Sequence, residues 1–386
     1  MEKRGRNMEV SQKSVKSVRA LTRLNLYLNL FLPGLAATVG VLLPDGAAQA
    51  QTGLAEESGC LDPVAHGHRH LTLASMPTGP LTDAATASAK IHPWPFAPLS
   101  IGHTNASYQH YTGFPYFHHG LDIRGNAGTP VLASAGGKVT NIENYIGGNP
   151  AYWEVAILDD EGYLWQYHHV EKTSIPSNVW NAWRSGGRVE AGTKLGEIFQ
   201  WGVYSFGERY DHVHLNVMAV GGTYMSPFLF LESLPDQSAP AVVAAGVLVN
   251  GKAHDGANVK GDYSLYATIH DLILHTKYVV PPHRVEIAID NGAPELVWDF
   301  RDIPGKSSIE SYVEDFFVPD MTCGDYDCRR LTIDLAFAAP DTGASSPPYR
   351  RKFPATPGPH AAVVRAFDFE GNSVSKTIEW TVAKNP

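Results

Sequence analysis

Between Ile91 and Leu234 apolar residues fall in short alternating runs separated by Gly-bearing turns. The runs Pro130 to Ala133, Lys138 to Asn144, Trp153 to Leu158, Tyr163 to Val170, Lys194 to Phe199 and His212 to Val217 predict strands. No long amphipathic pattern interrupts them, and Asp159-Asp160-Glu161-Gly162 has the composition of a turn that joins its flanking strands as a hairpin. Pro235 to Pro240 reads as a connector. A second series follows, with Tyr263 to His270, Arg284 to Ile289, Leu331 to Phe337, Ala361 to Phe367 and Lys376 to Val382 as strands, a spacing that favours a β-sandwich. The ending HAAVVRAFDFEGNSVSKTIEWTV resembles the last hairpin of immunoglobulin-like modules, with Glu370-Gly371-Asn372 as its turn. Ser345 to Pro359, with five prolines and Arg350, Arg351 and Lys352, predicts an exposed loop. The fold class is therefore all-β, an antiparallel sheet domain over 91–234 followed by a β-sandwich domain over 241–386.

The amino terminus breaks this pattern. A basic stretch ending at Arg23 precedes the uncharged run Leu24 to Leu43, and Ala48-Gln49-Ala50 fits the small-residue rule of a signal-peptidase site. Residues 1–50 thus read as a signal peptide. The rival reading is an uncleaved anchor, the one case in which this chain meets a membrane. Residues 51–90, rich in Ala, Ser, Thr and Gly, read as a linker, in which His66, His68 and His70 are solvated. The remainder is expected to be exported, periplasmic or secreted. In that setting Cys323 and Cys328, bracketing Gly324 to Asp327, are placed to close a small disulfide, and Cys60 is a spare thiol.

Charge excludes some partners. Seven of the 30 basic residues but only two of the 39 acidic ones lie in the first 23 positions, so the rest carries a net charge of −14. Such a body lacks the footprint of a nucleic-acid binder and gains nothing by charge from an anionic membrane.

The candidate chemistry is histidine chemistry. Among 17 histidines, three clusters stand out: His118-His119-Gly120-Leu121-Asp122, Tyr167-His168-His169 and His212-Val213-His214. Strand alternation puts His212 and His214 on one face. It also pairs His118 with Asp122, with Gly120 between them sparing a metal a crowding side chain, and it pairs Tyr167 with His169 while His168 points the other way. A catalytic zinc takes three N or O ligands and keeps one position open for water. His118, Asp122 and one of His212 and His214 supply that set, and His169 with the other member of the pair would flank the water as proton acceptors.

Together these clusters resemble the lysostaphin-type, or LytM-like, zinc endopeptidases. HHGLDIRGNAGTPVLASAGGKV is similar to that family's opening His-x-Gly-x-Asp motif and strand pair, LWQYHHV to its Tyr-x-His segment, VEAGTKLGEI to its next turn and strand, and DHVHL to its closing His-x-His. The likeness covers Gly102 to Pro227. It implies one Zn2+ held by His118, Asp122 and His214, with His169 and His212 as catalytic histidines, and an antiparallel metallopeptidase domain followed by the β-sandwich. It also implies a peptidoglycan peptide as substrate, cut in the stem or cross-bridge. Alternatives are an elastin-like extracellular protein substrate, or a non-catalytic wall-binding regulator whose zinc is only structural.

Three stretches depart from the family pattern. Trp201 to Asp211 is bulkier and more charged than the usual Gly-rich loop, Ser174 to Arg188 is longer than the usual turn and carries Trp180 and Trp183, and Asn216 stands where an acidic residue is common. The loops are placed to wall a groove, where the tryptophans either stack on substrate or pack against the body. Some relatives use an upstream tyrosine on the oxyanion, a role for which Tyr108 and Tyr111 are candidates.

Overall fold

The computed structural model describes residues 91–110, 115–254, 258–275, 277–303, 309–338 and 349–384. The signal-peptide and linker readings, Cys60, the histidines of the linker and Tyr111 lie outside them. No helix among the described residues is long and apolar enough to cross a membrane.

The first sheet is built from β1 (Ser100–Ile101), β2 (Leu121–Arg124), β3 (Gly137–Asn144), β4 (Trp153–Leu158), β5 (Leu164–His168), β6 (Arg188–Val189), β7 (His212–Met218) and β8 (Tyr224–Met225). Its order is β1-β2-β7-β5-β4-β3-β6, antiparallel throughout, with β8 paired to β7. β4 and β5 form the expected hairpin, its turn held by the Asp159 carboxylate, which accepts from the Glu161 and Tyr163 amides.

Alternation along the central strands separates two faces. Val155 and Ile157, Trp165 and Tyr167, Leu121 and Ile123, and Val213, Leu215 and Val217 form one apolar core. The other face is also buried, yet it carries Glu154, Gln166, His168, Asp122, His212, His214 and Asn216. A sheet covered on both sides normally shows apolar residues on both. Polar side chains there bear a desolvation cost, offset only by hydrogen bonds or a bound ion.

The long segment before Arg188 is a helix, α1 (Ser177–Ser185), closed by Gly186 in the left-handed conformation. It buries Val179 and Ala182, and Trp180 and Trp183 pack against the first core with Trp153. These tryptophans pack on the body, partly buried.

Beyond the connector, β9 (Ala241–Val249) and β10 (Tyr263–Leu272) lie in one five-stranded sheet, and β11 (Arg284–Ile289) and β12 (Glu295–Asp299) in another. The disulfide between Cys323 and Cys328 ties a short hairpin of β13 (Cys323–Asp325) and β14 (Cys328–Arg330). β15 (Gly358–Phe367) and β16 (Ser373–Val382) join the second sheet around the expected terminal turn, and Asn258–Val259 pairs parallel to β16 as its fifth strand. Residues from both sheets share one core, which continues onto Ala156, Leu164 and Met218 of the first sheet.

Two details differ from expectation. The run Leu331 to Phe337 is split into Thr332–Asp334 and Phe337–Ala338, and the latter pairs with Tyr349–Arg350. Arg351 is buried, because its guanidinium donates to the Leu335 and Leu296 carbonyls and to Glu295.

Candidate metal centre

β7 pairs with β2 and β5 so that His214 lies opposite both Asp122 and His168. This register gathers three donor atoms at one point. His118 Nε2 is 3.0 Å from Asp122 Oδ1 and 2.8 Å from His214 Nδ1, and His214 Nδ1 is 3.0 Å from Asp122 Oδ1. All three residues are buried.

The opposite nitrogens decide what those atoms are. His118 Nδ1 faces the Thr104 carbonyl at 3.2 Å, and His214 Nε2 faces Asn216 Oδ1 at 2.8 Å. Each must donate its proton outward, so His118 Nε2 and His214 Nδ1 are both lone pairs. Two lone pairs and a carboxylate within about 3 Å repel one another unless a cation lies among them. The arrangement fits a zinc ion with three N or O ligands.

His118 does not reach this point by strand alternation. It precedes β2, and Gly120 between them has φ +113°. A Cβ on Gly120 would overlap the Leu215 carbonyl and Asn216 Oδ1, so the glycine admits β7, and clearance for a metal is not what requires it. His119 turns away and stacks on Tyr224, with ring centroids 4.5 Å apart.

The second cluster corrects the parity argument. His168 ends β5 on the same face as His214, and Tyr167 points into the core. His169 lies just past the strand with φ +63°, a left-handed conformation that swings its ring back to the His168 side. Its centroid is 4.7 Å from that of His212. Its Nδ1 donates to the Ala151 carbonyl at 2.9 Å, and His212 Nδ1 donates to the Tyr210 carbonyl at 2.9 Å. Both rings therefore present an unprotonated Nε2, and that of His212 lies 3.7 Å from Asp122 Oδ1.

Burial holds both imidazoles below the usual histidine range, and neighbouring His212 and His214 add to it at His169. Burial also lowers His118. For Asp122, burial pushes upward, but the neighbouring His118 and His212 outweigh it and hold the carboxyl below its usual range.

Two contributors escaped sequence reasoning. Tyr210 donates its hydroxyl to Asp122 Oδ2 at 2.9 Å. Tyr108 instead packs on Phe317 in the carboxy-terminal core. His103 is buried with its ring 5.3 Å from that of His118, and Arg329 of β14 contacts it. The loop Trp201 to Asp211 closes the remaining side. Trp201 lies 4.2 Å from the His169 ring and donates to the Tyr326 hydroxyl at the tip of the disulfide hairpin.

Residues 116–227 match the sequence model of peptidase family M23. That segment belongs to the family. The M23 segment holds His118, Asp122, His169, His212 and His214, together with Tyr210. No curated protein matches the chain. Among solved structures, the catalytic domain of lysostaphin from Staphylococcus simulans is 23% identical, over 37% of this chain and 90% of that one, with a TM-score of 0.22. The catalytic domain of a variant of the prophage-encoded M23 protein EnpA from Enterococcus faecalis is 20% identical, over 36% of this chain and 95% of that one, with a TM-score of 0.25. A candidate glycyl-glycine endopeptidase LytM from Ruminococcus gnavus is 25% identical over 28% of this chain and 43% of its own, with a TM-score of 0.21.

Proposed function

We propose that this chain is an exported zinc-dependent endopeptidase that hydrolyses peptide bonds in peptidoglycan stems or cross-bridges, with His118, Asp122 and His214 as metal ligands. The observation that carries the reading is the meeting of two histidine lone pairs and an ionised carboxylate, with two further unprotonated imidazole nitrogens beside them. When bound, zinc supplies Lewis acidity that polarises the scissile carbonyl and acidifies water.

The chain's own residues supply the proton transfers. His169 and His212 are fixed by backbone carbonyls with Nε2 unprotonated, and that of His212 lies 3.7 Å from Asp122 Oδ1, so they accept the proton of the attacking water and return it to the leaving amine. Their desolvated surroundings keep them neutral near pH 7, the state a general base requires. Tyr210 orients Asp122 so that Oδ1 faces the histidines. The disulfide and the A-x-A site support export, and the carboxy-terminal sheets read as an accessory module.

The test is a digest of purified peptidoglycan sacculi, with mass spectrometry of released fragments and Asp122→Ala as control. New peptide termini from the wild type alone support the assignment and identify the bond. Release from elastin but not from sacculi moves the substrate to extracellular protein. No hydrolysis of either by the zinc-loaded chain overturns the proposal.

A further inference from the structure

His214 can offer Nδ1 to a metal only if its proton sits on Nε2, and Nε2 faces an amide, Asn216, whose two ends differ. With Oδ1 toward His214 the tautomer is the one a ligand needs. Reversed, the amide would present N–H groups and push the proton onto Nδ1. What fixes the sense of that amide is therefore part of the metal centre.

The sheet register shows the cause. Glu154 on β4 lies opposite His168 on β5, His168 opposite His214 on β7, and Gln166 opposite Asn216. On this face Asn216 Nδ2 lies 3.1 Å from His168 Nε2 and 3.5 Å from Gln166 Oε1. Gln166 shows Nδ2 its oxygen because its own amide nitrogen donates to the Glu154 carboxyl, and His168 lies with Nδ1 close to the same carboxyl. His168 Nδ1 is 3.3 Å and Gln166 Nε2 is 3.4 Å from Glu154 Oε2, while Asn141 Nδ2 donates to Oε1 at 2.7 Å. A hydrogen-bonded route through Gln166 and a close contact through His168 thus run from Glu154 to the same amide.

Glu154 is 0% exposed, and the neutral amides of Asn141 and Gln166 donate to it. Burying a carboxylate is unfavourable, and an apolar side chain of similar volume is often neutral or stabilising at such a site. A carboxylate kept there needs a reason beyond stability.

We propose that Glu154 is a positioning residue for the metal centre: through His168, Gln166 and Asn216 it holds His214 in the Nε2–H tautomer that leaves Nδ1 free to bind. The inference rests on the zinc reading for its consequence and on hydrogen-bond direction for its substance, so each can fail separately.

The experiment is nitrogen-15 NMR of the histidine side chains in the full, metal-free chain, with the His214 signals assigned by their loss in His214→Gln, followed by Zn2+ affinity from chelator competition. The wild type is expected to show His214 protonated at Nε2. Glu154→Met is expected to shift it toward Nδ1–H, to weaken Zn2+ binding about 10- to 100-fold, and to melt no lower than the wild type. Should Glu154→Met not fold, the near-isosteric Glu154→Gln, with one acceptor oxygen for three donors, carries the same test. Asn216→Asp, which still accepts from Nε2, is expected to restore binding relative to Asn216→Leu. An unchanged tautomer and unchanged Zn2+ affinity in a folded Glu154 variant overturn the proposal. A wild type that shows the tautomer but binds no zinc overturns the functional reading and leaves the positioning role standing.

Discussion

The Tyr210 hydroxyl and the Asp122 carboxylate are joined by a buried 2.9 Å hydrogen bond at Oδ2, which leaves Oδ1 as the atom shared with His118 and His214. Fixing the rotation of a ligand carboxylate in this way is what outer partners of metal sites do. Tyr210→Phe should keep the fold and weaken zinc binding about 10-fold. Chelator competition on the purified variant checks this, and unchanged affinity would assign the bond to packing alone.

Gly102 offers an independent route to the same bond. A Cβ at this position would overlap the Tyr210 hydroxyl. Gly102→Ala should therefore displace the ring and reproduce the zinc defect of Tyr210→Phe, and combining the two should add little. Additive losses in the double variant would contradict a shared cause.

Gly120 joins the opening motif to β7. Its φ of +113° and the close approach of the Leu215 carbonyl make any side chain costly. Gly120→Ala should lose on the order of 2–4 kcal/mol of stability. Urea melts of the metal-free chain read this directly, and a loss well below 1 kcal/mol would mean that the backbone adjusts freely.

How far the site was legible follows from which contacts are local. His212 and His214 were readable because period-two alternation holds through a straight central strand, and the joint motif named the donor set. The face of His168 was not, because His169 adopts a left-handed conformation with no glycine to signal it. Glu154 reaches the site only through strand register, and Tyr210, in the loop before β7, only through its hydroxyl bond to Asp122, both depending on partners far away in sequence. The strands themselves were largely legible from alternation. The helix Ser177–Ser185 was not, since one short amphipathic segment between turns looks like a long loop.

Stability should depend on pH at Asp271 on β10. Its carboxyl is pushed up to about 8 by burial and further by Asp368, Asp236 and Glu370. A folded value above the unfolded one means that Asp271 costs nothing below about pH 4 and increasingly more as the pH rises toward 8. Asp271→Asn should therefore raise the melting temperature at pH 8 more than at pH 5, by up to a few kcal/mol in stability. Calorimetry at the two pH values decides it, and an equal shift at both would contradict the sign.

Under the proposed function His169 and His212 carry protons and are not ligands. His169→Ala and His212→Ala should each retain bound zinc while lowering turnover about 100- to 10,000-fold. Loss of zinc in either variant would reassign that histidine to the metal.

The most direct measurement is the zinc content of the purified chain by native mass spectrometry, wild type beside Asp122→Ala and His214→Ala. The account predicts one zinc per wild-type chain and none on either variant, with all three folded by circular dichroism. A wild type that takes up no zinc, or variants that keep it undiminished, would contradict the assignment of His118, Asp122 and His214.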